Sequence, residues 1–205
     1  TGAAAGTTAP ARVFLCSSAA VYGNQSGLLQ ESAALRPANA YGEAKAEMEQ
    51  HAARRAQELG VQLCALRIGN IAGLDAVLGG WRPGFRLDHF ADGQSPGHSP
   101  RRSYVGVQAL ARILAALVAV PNLPSILNLA QPGGVEMAAL LRAAGRDYEP
   151  VPAPDHAIAE VQLDLELLQQ ILPSHPDLMT AADPIRMVAE WAALNPAPNP
   201  KEPHR

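Results

Sequence analysis

The stretches that decide the fold of this chain are RVFLC at 12–16 and VQLCALRI at 61–68. Both are short apolar runs of bulky and β-branched side chains, which is typical of strands buried in a parallel sheet. Between them, residues 38–59 are rich in Ala, Glu, Lys, Arg and Gln, and Gly60 provides a natural end for a helix. A strand, a helix and a second strand in this order predict a right-handed crossover unit in an α/β sheet.

Outside this unit the pattern predicts further short elements. The polar, glycine-bearing stretch at 23–40 has no period and is expected to form a long loop over the carboxyl end of the first strand. Residues 85–102 are expected to hold a short helix followed by a turn-rich loop. The remaining predictions are strands at 103–105 and 125–130, helices at 108–120, 135–144, 163–172 and 184–194, an irregular connection around Pro150, Pro152 and Pro154, and a disordered proline-rich tail at 195–205.

Composition excludes several classes of protein. Of the 205 residues, 48% are apolar and 17% are charged, and the formal net charge is −3. That is enough apolar material for a folded core, and the charge provides no attraction to nucleic acid or to an anionic membrane surface. The two cysteines, Cys16 and Cys64, both lie in apolar runs. We therefore expect core thiols and a reducing, cytoplasmic location rather than a disulfide framework or a metal site.

The sharpest local feature is a tyrosine and a lysine at Tyr41 and Lys45, near the start of the predicted helix. Four residues make about one helical turn, so the two side chains share a face. A free tyrosine hydroxyl titrates near pH 10 and is a poor base at neutral pH, but a neighbouring ammonium favours the phenolate. The pair is therefore a candidate for general acid–base chemistry, although an ordinary surface helix could carry the same two residues.

Two further observations bear on this pair. The chain has 16 basic residues, of which Lys45 and Lys201 are the lysines, so the lysine outside the tail lies one turn after Tyr41. Ser17 and Ser18 follow the first strand directly, at the edge of an open α/β sheet where ligands bind. Ser18 is thus a candidate to hydrogen-bond a substrate oxygen, and a helix cap or a turn is the alternative interpretation.

Together these motifs resemble the extended short-chain dehydrogenase/reductase family, also called the NAD-dependent epimerase/dehydratase family. The matching segments are VFLCSSAAVYG at 13–23, PANAYGEAK at 37–45 and LRIGN at 66–70, with looser matches at 101–114 and 125–141. The resemblance implies a Rossmann-like parallel sheet that holds NAD or NADP, beside a small α/β substrate lobe. It places the later part of the Rossmann domain in 1–70 and the substrate lobe with the last Rossmann elements in 71–194.

The resemblance also implies roles for three catalytic residues. Tyr41 takes the acid/base position, and Lys45 takes the position that holds the nicotinamide ribose and acts on the tyrosine. Ser18 takes the position that orients the substrate oxygen. The same three residues contact the cofactor.

Four other residues receive binding roles by the same resemblance. Ile68 and Gly69 match positions near the nicotinamide. Asn70 matches a residue that contacts a nucleotide-sugar substrate, and Arg102 matches an arginine that binds its diphosphate. A turn asparagine and a solvated surface charge are the alternative interpretations of these last two. The resemblance further implies a homodimer.

The sequence departs from the family pattern in three places. Gly106 and Ala109 stand where the second half of the family has His and Asp, and the region 70–101 is short for a nucleotide-sugar lobe. No glycine-rich turn of the dinucleotide-binding type follows a strand near the start. The expectation is therefore an incomplete chain, preceded in the full protein by roughly 100 residues, about three βαβ-sized units, that binds cofactor poorly on its own and exposes an apolar sheet edge.

The expected function is NAD(P)-dependent oxidoreduction of the epimerase or dehydratase type on a sugar or nucleotide sugar. Two alternatives stay open. A reductase of a small carbonyl compound would suit the short substrate region, and a dinucleotide-sensing protein without turnover would use the same fold. No nucleic-acid or membrane partner is expected.

Overall fold

A computed structural model describes residues 11–91 and 97–194 of this chain. Within these ranges the chain forms an α/β fold with parallel sheets, as the sequence predicts. The ten strands in the described ranges are β1 (Arg12–Ser18), β2 (Gly27–Leu29), β3 (Gln62–Ile68), β4 (Asn70–Ile71), β5 (Arg86–His89), β6 (Arg101–Val105), β7 (Ile126–Leu129), β8 (Gly134–Glu136), β9 (Glu149–Pro152) and β10 (Glu160–Leu163). The proline-rich tail at 195–205 lies outside the described residues.

Five α-helices and two short 3₁₀ helices connect these strands in the described part of the chain. They are α1 (Ala40–Leu59), α2 (Val107–Ala119), α3 (Met137–Ala143), α4 (Glu166–Ile171) and α5 (Pro184–Leu194), with 3₁₀ helices at Ala19–Tyr22 and Pro176–Met179. The predicted crossover unit is β1, α1 and β3, and its helix ends before Gly60 as expected. None of the helices in these ranges is both long and apolar enough to cross a membrane.

The first sheet has the order β1-β3-β7, and all of its strands run parallel. Its register aligns Ser17 with Arg67 and Ser18 with Ile68, so the carboxyl ends of β1 and β3 lie side by side. A second sheet has the order β2-β10-β6-β4, with β8 antiparallel to β6, and β5 pairs with β9 in a separate two-stranded sheet. The chain crosses from the first sheet to the second at Gly69, between β3 and β4.

Several element predictions were wrong. The helix expected within 85–102 is strand β5, because its residues pair with the proline-bearing segment Glu149–Pro152, which was expected to be irregular. The loop expected at 23–40 contains β2, which joins the second sheet through β10. The helix expected at 135–144 begins within strand β8 and is helical only over α3. The helix expected at 163–172 likewise begins at the end of strand β10 and is helical only over α4. In each case long-range pairing overrides the local pattern.

The core consists of two clusters of buried apolar side chains. One lies around the first sheet and includes Leu66, Leu127 and Ile113, which are fully buried. The other lies beside the second sheet and includes Tyr104 and Leu140. Cys64 belongs to the first cluster and is only 1% exposed, as predicted.

The prediction of a core position for Cys16 was wrong, because its side chain is exposed. Among the described strands, β1 pairs with β3 and lies at the edge of its sheet. Val13 on the same strand is 42% exposed. An apolar run that forms an edge strand therefore leaves part of its side-chain surface in solvent.

Burial of Cys64 makes the stability of the fold depend on pH in alkaline solution. Burial raises the pKa of the Cys64 thiol from its ordinary 9.0 to about 11. Between these values the unfolded chain releases the thiol proton and the folded chain keeps it, so stability falls as pH rises from 9 to 11. We expect a loss of about 2–3 kcal/mol from this group across that window.

Urea unfolding at a series of pH values measures this loss. Cys64→Ala is expected to lower the baseline stability but to flatten its decline between pH 9 and 11. Cys16→Ala, which changes an exposed thiol, should leave that decline as in the parent protein. Equal declines in the parent protein and in Cys64→Ala would contradict the assignment.

Candidate active site

The candidate site lies where the carboxyl end of β1 meets the first turn of α1. Ser18 ends β1, and its Oγ accepts a hydrogen bond of 3.2 Å from the backbone N–H of Ala20, which caps the following 3₁₀ helix. The capping role considered from the sequence is therefore present. It leaves the donor of the Ser18 hydroxyl available, since the cap uses the oxygen as an acceptor.

Tyr41 and Lys45 lie on the first turns of α1, which begins after Asn39. The Asn39 Oδ1 accepts a hydrogen bond of 2.8 Å from the N–H of Gly42 and so fixes the start of the helix. Tyr41 is 57% exposed. The Lys45 Nζ lies 5.7 Å from the centroid of the Tyr41 ring and donates a 2.8 Å hydrogen bond to the carbonyl of Cys16. The lysine thus links the tyrosine to the end of β1.

Gly42 permits this close approach of helix and strand end. A Cβ at this position would lie 2.5 Å from the carbonyl oxygen of Ala20, a backbone atom that cannot move aside cheaply. Any larger residue would push the first turn of α1, and Tyr41 with it, away from the 3₁₀ helix. This role was not predicted from the sequence, although a glycine inside the first helical turn, where it is unfavourable, is a usable signal.

A cavity of about 630 Å³ opens beside these residues. Four of the predicted site residues line it, namely Ser18, Tyr41, Asn70 and Arg102. They come from β1, α1, β4 and β6, so the fold brings together residues that are up to 84 positions apart. Asp88 and His156 also line the cavity, and the sequence analysis missed both because isolated residues in loops and short strands carry no pattern.

Arg102 is held rigidly at the cavity wall. Its guanidinium donates hydrogen bonds to the carbonyls of Arg101, Ile158 and Ala159 at 2.8 to 3.2 Å. Burial lowers the pKa of this group, although an arginine stays charged at neutral pH. Because the three partners are neutral carbonyls, they orient the charge without balancing it, and two of the five N–H donors remain for a ligand.

Ile68 and Gly69 occupy a different place, and they are not among the described residues that line the cavity. Ile68 ends β3 and packs against the first core cluster. A Cβ on Gly69 would lie 2.6 Å from the carbonyl oxygen of Ser103. Gly69 therefore allows the two sheets to approach each other. This structural role explains a glycine at this position independently of the predicted cofactor contact.

A buried ion pair that was not predicted from the sequence joins α1 to β3 beside the site. Arg67 on β3 donates to Glu49 on α1, with Nη2 at 2.8 Å from Oε2 and Nε at 3.1 Å from Oε1. The two side chains are 3% and 7% exposed. Glu49 also accepts a 2.5 Å hydrogen bond from the Ser17 hydroxyl. A glutamate on an Ala- and Glu-rich helix looks like a surface residue, so its burial could not be predicted.

The ion pair extends across the first sheet through a second set of hydrogen bonds. Arg67 Nη1 donates to the Tyr22 hydroxyl at 3.0 Å and to the carbonyl of Glu31 at 2.9 Å. Tyr22 donates in turn to Asn128 on β7 at 2.7 Å. Although burial lowers the pKa of Arg67, its hydrogen bonds to Glu49 and Tyr22 outweigh burial and raise that pKa above its ordinary value. Arg67 is therefore a permanent cation.

The described residues contain no group of three or more His, Cys, Asp or Glu side chains placed to hold a metal ion. The site described above offers hydroxyl, ammonium, guanidinium and amide groups, together with the carboxylate of Asp88 and the imidazole of His156. This set suits an organic ligand with hydroxyls and negative charge.

Comparison with known proteins shows what part of this chain is similar to. The model of the NAD dependent epimerase/dehydratase family matches residues 3–84, which include Ser18, Tyr41 and Lys45. The resemblance to this family is confirmed over these residues. A search of curated proteins gives no match.

Solved structures of epimerases and dehydratases share the fold of this chain. A UDP-glucose-4-epimerase from Stenotrophomonas maltophila, with bound NAD and formylated UDP-arabinopyranose, is 22% identical with a TM-score of 0.68, and the match covers 90% of this chain and 64% of that one. A UDP-glucose 4-epimerase from Bifidobacterium longum in complex with NAD+ and UDP is 20% identical with a TM-score of 0.68, over 91% and 64%.

An NAD dependent NDP-hexosamine 5,6-dehydratase involved in tunicamycin biosynthesis is 19% identical, with a TM-score of 0.66 over 89% of this chain and 63% of that one. At these identities the likeness shows the fold, which is Rossmann-like as predicted. The chain spans about 64% of the length of the epimerases it matches.

Breaking the buried ion pair should cost much more stability than breaking a surface pair on the same helix. Arg67→Gln leaves the Glu49 carboxylate buried without a cation, and we expect a loss of about 3–5 kcal/mol in the free energy of unfolding. Arg55→Gln, the matched control, removes the exposed pair with Glu58 and should cost at most about 1 kcal/mol. Urea unfolding of both variants at neutral pH provides the comparison, and equal losses would contradict the prediction.

Proposed function

We propose that this chain carries the catalytic residues of an NAD(P)-dependent oxidoreductase of the epimerase or dehydratase type, which acts on a hydroxyl or carbonyl of a sugar or nucleotide sugar. The observation that carries the proposal is the cavity in which Ser18, Tyr41, Asn70 and Arg102 meet, with Lys45 behind Tyr41. It combines a group able to move a proton with a fixed cation that suits a phosphate. The family match and the epimerase folds support the same class.

The residues present fit a nicotinamide cofactor. Lys45, Tyr41 and Ser18 offer an ammonium and two hydroxyls at the carboxyl end of β1, the edge where α/β sheets bind dinucleotides. These three, with Ile68 and Gly69, are the residues proposed to hold NAD or NADP. When bound, the cofactor supplies the redox chemistry by accepting and returning a hydride.

Tyr41 is the proposed general base and acid. Its hydroxyl would take the proton from a substrate hydroxyl during oxidation and return a proton to the carbonyl oxygen during reduction. The ammonium of Lys45, fixed by the Cys16 carbonyl and 5.7 Å from the centroid of the Tyr41 ring, is the proposed positive charge beside this tyrosine. Ser18 would donate its remaining hydrogen bond to the same substrate oxygen and so hold it at Tyr41.

Arg102 and Asn70 form the proposed substrate-binding end of the cavity. The guanidinium, already oriented by backbone carbonyls, presents positive charge to a phosphate. Asn70 lines the same cavity, where its side-chain amide can bind sugar or phosphate oxygens.

A reductase of a small carbonyl compound is the alternative within the same chemistry. The absorbance of reduced cofactor at 340 nm distinguishes a reductase from an epimerase or dehydratase. A reductase consumes one equivalent of NAD(P)H for each product molecule, whereas an epimerase or dehydratase regenerates its cofactor in each cycle. A dinucleotide-sensing protein would show neither turnover nor product.

Other inferences from the sequence stay predictions. They are the division of the chain at residue 70, the choice between NAD and NADP, a homodimer, the absence of nucleic-acid and membrane partners, and a cytoplasmic location. The structural neighbours with bound NAD favour NAD as the first cofactor to test.

Removal of the Tyr41 hydroxyl tests the proposed mechanism. In the full-length protein supplied with NAD and UDP-glucose, Tyr41→Phe is expected to lower kcat by about 10²–10⁴-fold, because the proposed general acid and base is lost. Appearance of the epimeric sugar nucleotide, followed by chromatography, is the measurement. Tyr148→Phe removes a hydroxyl from a tyrosine that stacks on His89 and serves as the control. Unchanged turnover in Tyr41→Phe would refute the assignment.

Substitution of two neighbouring arginines tests the proposed substrate-binding end of the cavity. Arg102→Ala should weaken binding of UDP by about 10- to 100-fold, because it removes charge-assisted hydrogen bonds worth about 1.5–3 kcal/mol. Arg101→Ala is the matched control, since Arg101 is adjacent on β6, faces the other side of the strand and lies 3.6 Å from Glu160. Calorimetric titration of the full-length protein measures both, and equal affinities in the two variants would contradict the role of Arg102.

A further inference from the structure

A tyrosine, a lysine and a glutamate form one stripe along α1. Tyr41, Lys45 and Glu49 follow one another at intervals of four residues, so each lies about one turn from the next on the same face of the helix. The stripe runs from solvent into the protein: Tyr41 is 57% exposed, Lys45 is partly buried and Glu49 is 7% exposed. Lys45 therefore has a tyrosine on one side and a carboxylate on the other.

A lysine and a glutamate four residues apart on a helix ordinarily attract each other. Here the Lys45 Nζ instead donates to the carbonyl of Cys16 and lies on the side of the Tyr41 ring. The reason is visible at Glu49, whose two oxygens already accept hydrogen bonds from the Ser17 hydroxyl and from Nε and Nη2 of Arg67. The charge of the carboxylate is balanced by Arg67, and both of its oxygens already accept hydrogen bonds. Glu49 therefore attracts Lys45 only weakly.

Arg67 is itself fixed from the opposite side. Its Nη1 donates to Tyr22 and to the Glu31 carbonyl, and its guanidinium carbon lies 4.9 Å from the centroid of the Tyr22 ring. Tyr22 is fully buried and anchored to Asn128. The guanidinium therefore cannot swing away from Glu49 without breaking these contacts.

We propose that Arg67 is a positioning residue for the catalytic pair: by neutralising Glu49 it prevents this carboxylate from drawing Lys45 away from Tyr41 and Cys16. The inference rests on the proposed function in so far as Tyr41 and Lys45 act in catalysis. It adds a role for a buried residue that is not among the described residues lining the cavity. Charge balance, rather than the mere presence of hydrogen bonds, is what holds Lys45 in place.

A purely mechanical clamp is the rival explanation, and the two differ when both charges are removed. If Arg67 acts by neutralising Glu49, the single variant Arg67→Gln releases Lys45 toward Glu49, and the double variant Glu49→Gln/Arg67→Gln restores Lys45 to Tyr41. If the ion pair acts only by clamping α1, the double variant leaves the helix as loose as the single one, or looser. Arg67→Lys, which keeps the charge but not the planar fork, should keep Lys45 in place.

The position of Lys45 can be measured directly. The chain has two lysines, Lys45 and Lys201, so protein labelled with ¹³C and ¹⁵N in lysine gives two sets of side-chain signals. In the parent protein we expect through-space contacts between the Lys45 side chain and the Tyr41 ring. In Arg67→Gln these contacts are lost and contacts to the Glu49 side chain replace them, whereas Arg55→Gln behaves as the parent.

The double variant decides the outcome even if Arg67→Gln is too unstable to fold. Neutral replacement of a buried ion pair is commonly tolerated, so Glu49→Gln/Arg67→Gln is expected to fold. Contacts between Lys45 and the Tyr41 ring in that variant support the proposal. A displaced Lys45 in the folded double variant, an unfolded double variant, or an undisturbed Lys45 in folded Arg67→Gln would overturn it.

Activity of the full-length protein provides a second measurement. Arg67→Gln should lower kcat by about tenfold or more with little change in KM, because the substrate-binding end is untouched, and the double variant should recover most of the loss. Failure of the proposed function would be seen separately, as normal turnover in Tyr41→Phe. The lysine spectra need no turnover and so test the positioning role in either case.

Discussion

The ion pair between Glu49 and Arg67 is the interaction on which the arrangement of the site depends. It joins the helix that carries Tyr41 and Lys45 to the strand that leads to Asn70. Two charges at such depth must be paired, since a buried charge without a partner is strongly unfavourable. The helix can therefore occupy few positions on the sheet, and the position it takes brings its first turns over the carboxyl end of β1.

The cavity follows from the same constraint. Once α1 is fixed, Gly42 lets its first turn approach the 3₁₀ helix after Ser18, and Gly69 lets the chain pass between the two sheets. The second sheet then presents Arg102, held by the carbonyls that precede β10, on the far side of the cavity. Tyr41 on α1 and the positive charge of Arg102 on β6 thus line one cavity, and the proposed function rests on this arrangement.

The sequence predicted the local parts of this arrangement well. The crossover unit of β1, α1 and β3 was predicted because buried parallel strands and helices have distinct periods and clear end signals. The pairing of Tyr41 with Lys45 was predicted because residues four apart on a helix are neighbours in any fold. Ser18, Asn70 and Arg102 were candidates through motif and strand-end position, and the cavity brings them to Tyr41.

The predictions that were wrong concern features that depend on contacts between distant segments. Strand β5 was taken for a helix because its pairing partner, which contains Pro150 and Pro152, lies about 60 residues away. Cys16 was taken for a core residue because its apolar run does not reveal that β1 is an edge strand among the strands of the described residues.

By itself, the sequence determined the α/β class, the order of the first strand–helix–strand unit and the helical spacing of Tyr41 and Lys45, since these follow from short-range periodicity and backbone preference. Only the tertiary structure decided that Glu49 is buried against Arg67, that Asp88 and His156 line the same cavity as Ser18, and that Arg102 is fixed by neutral carbonyls. Burial and charge pairing depend on which segments meet in space, and no short window of sequence contains that information.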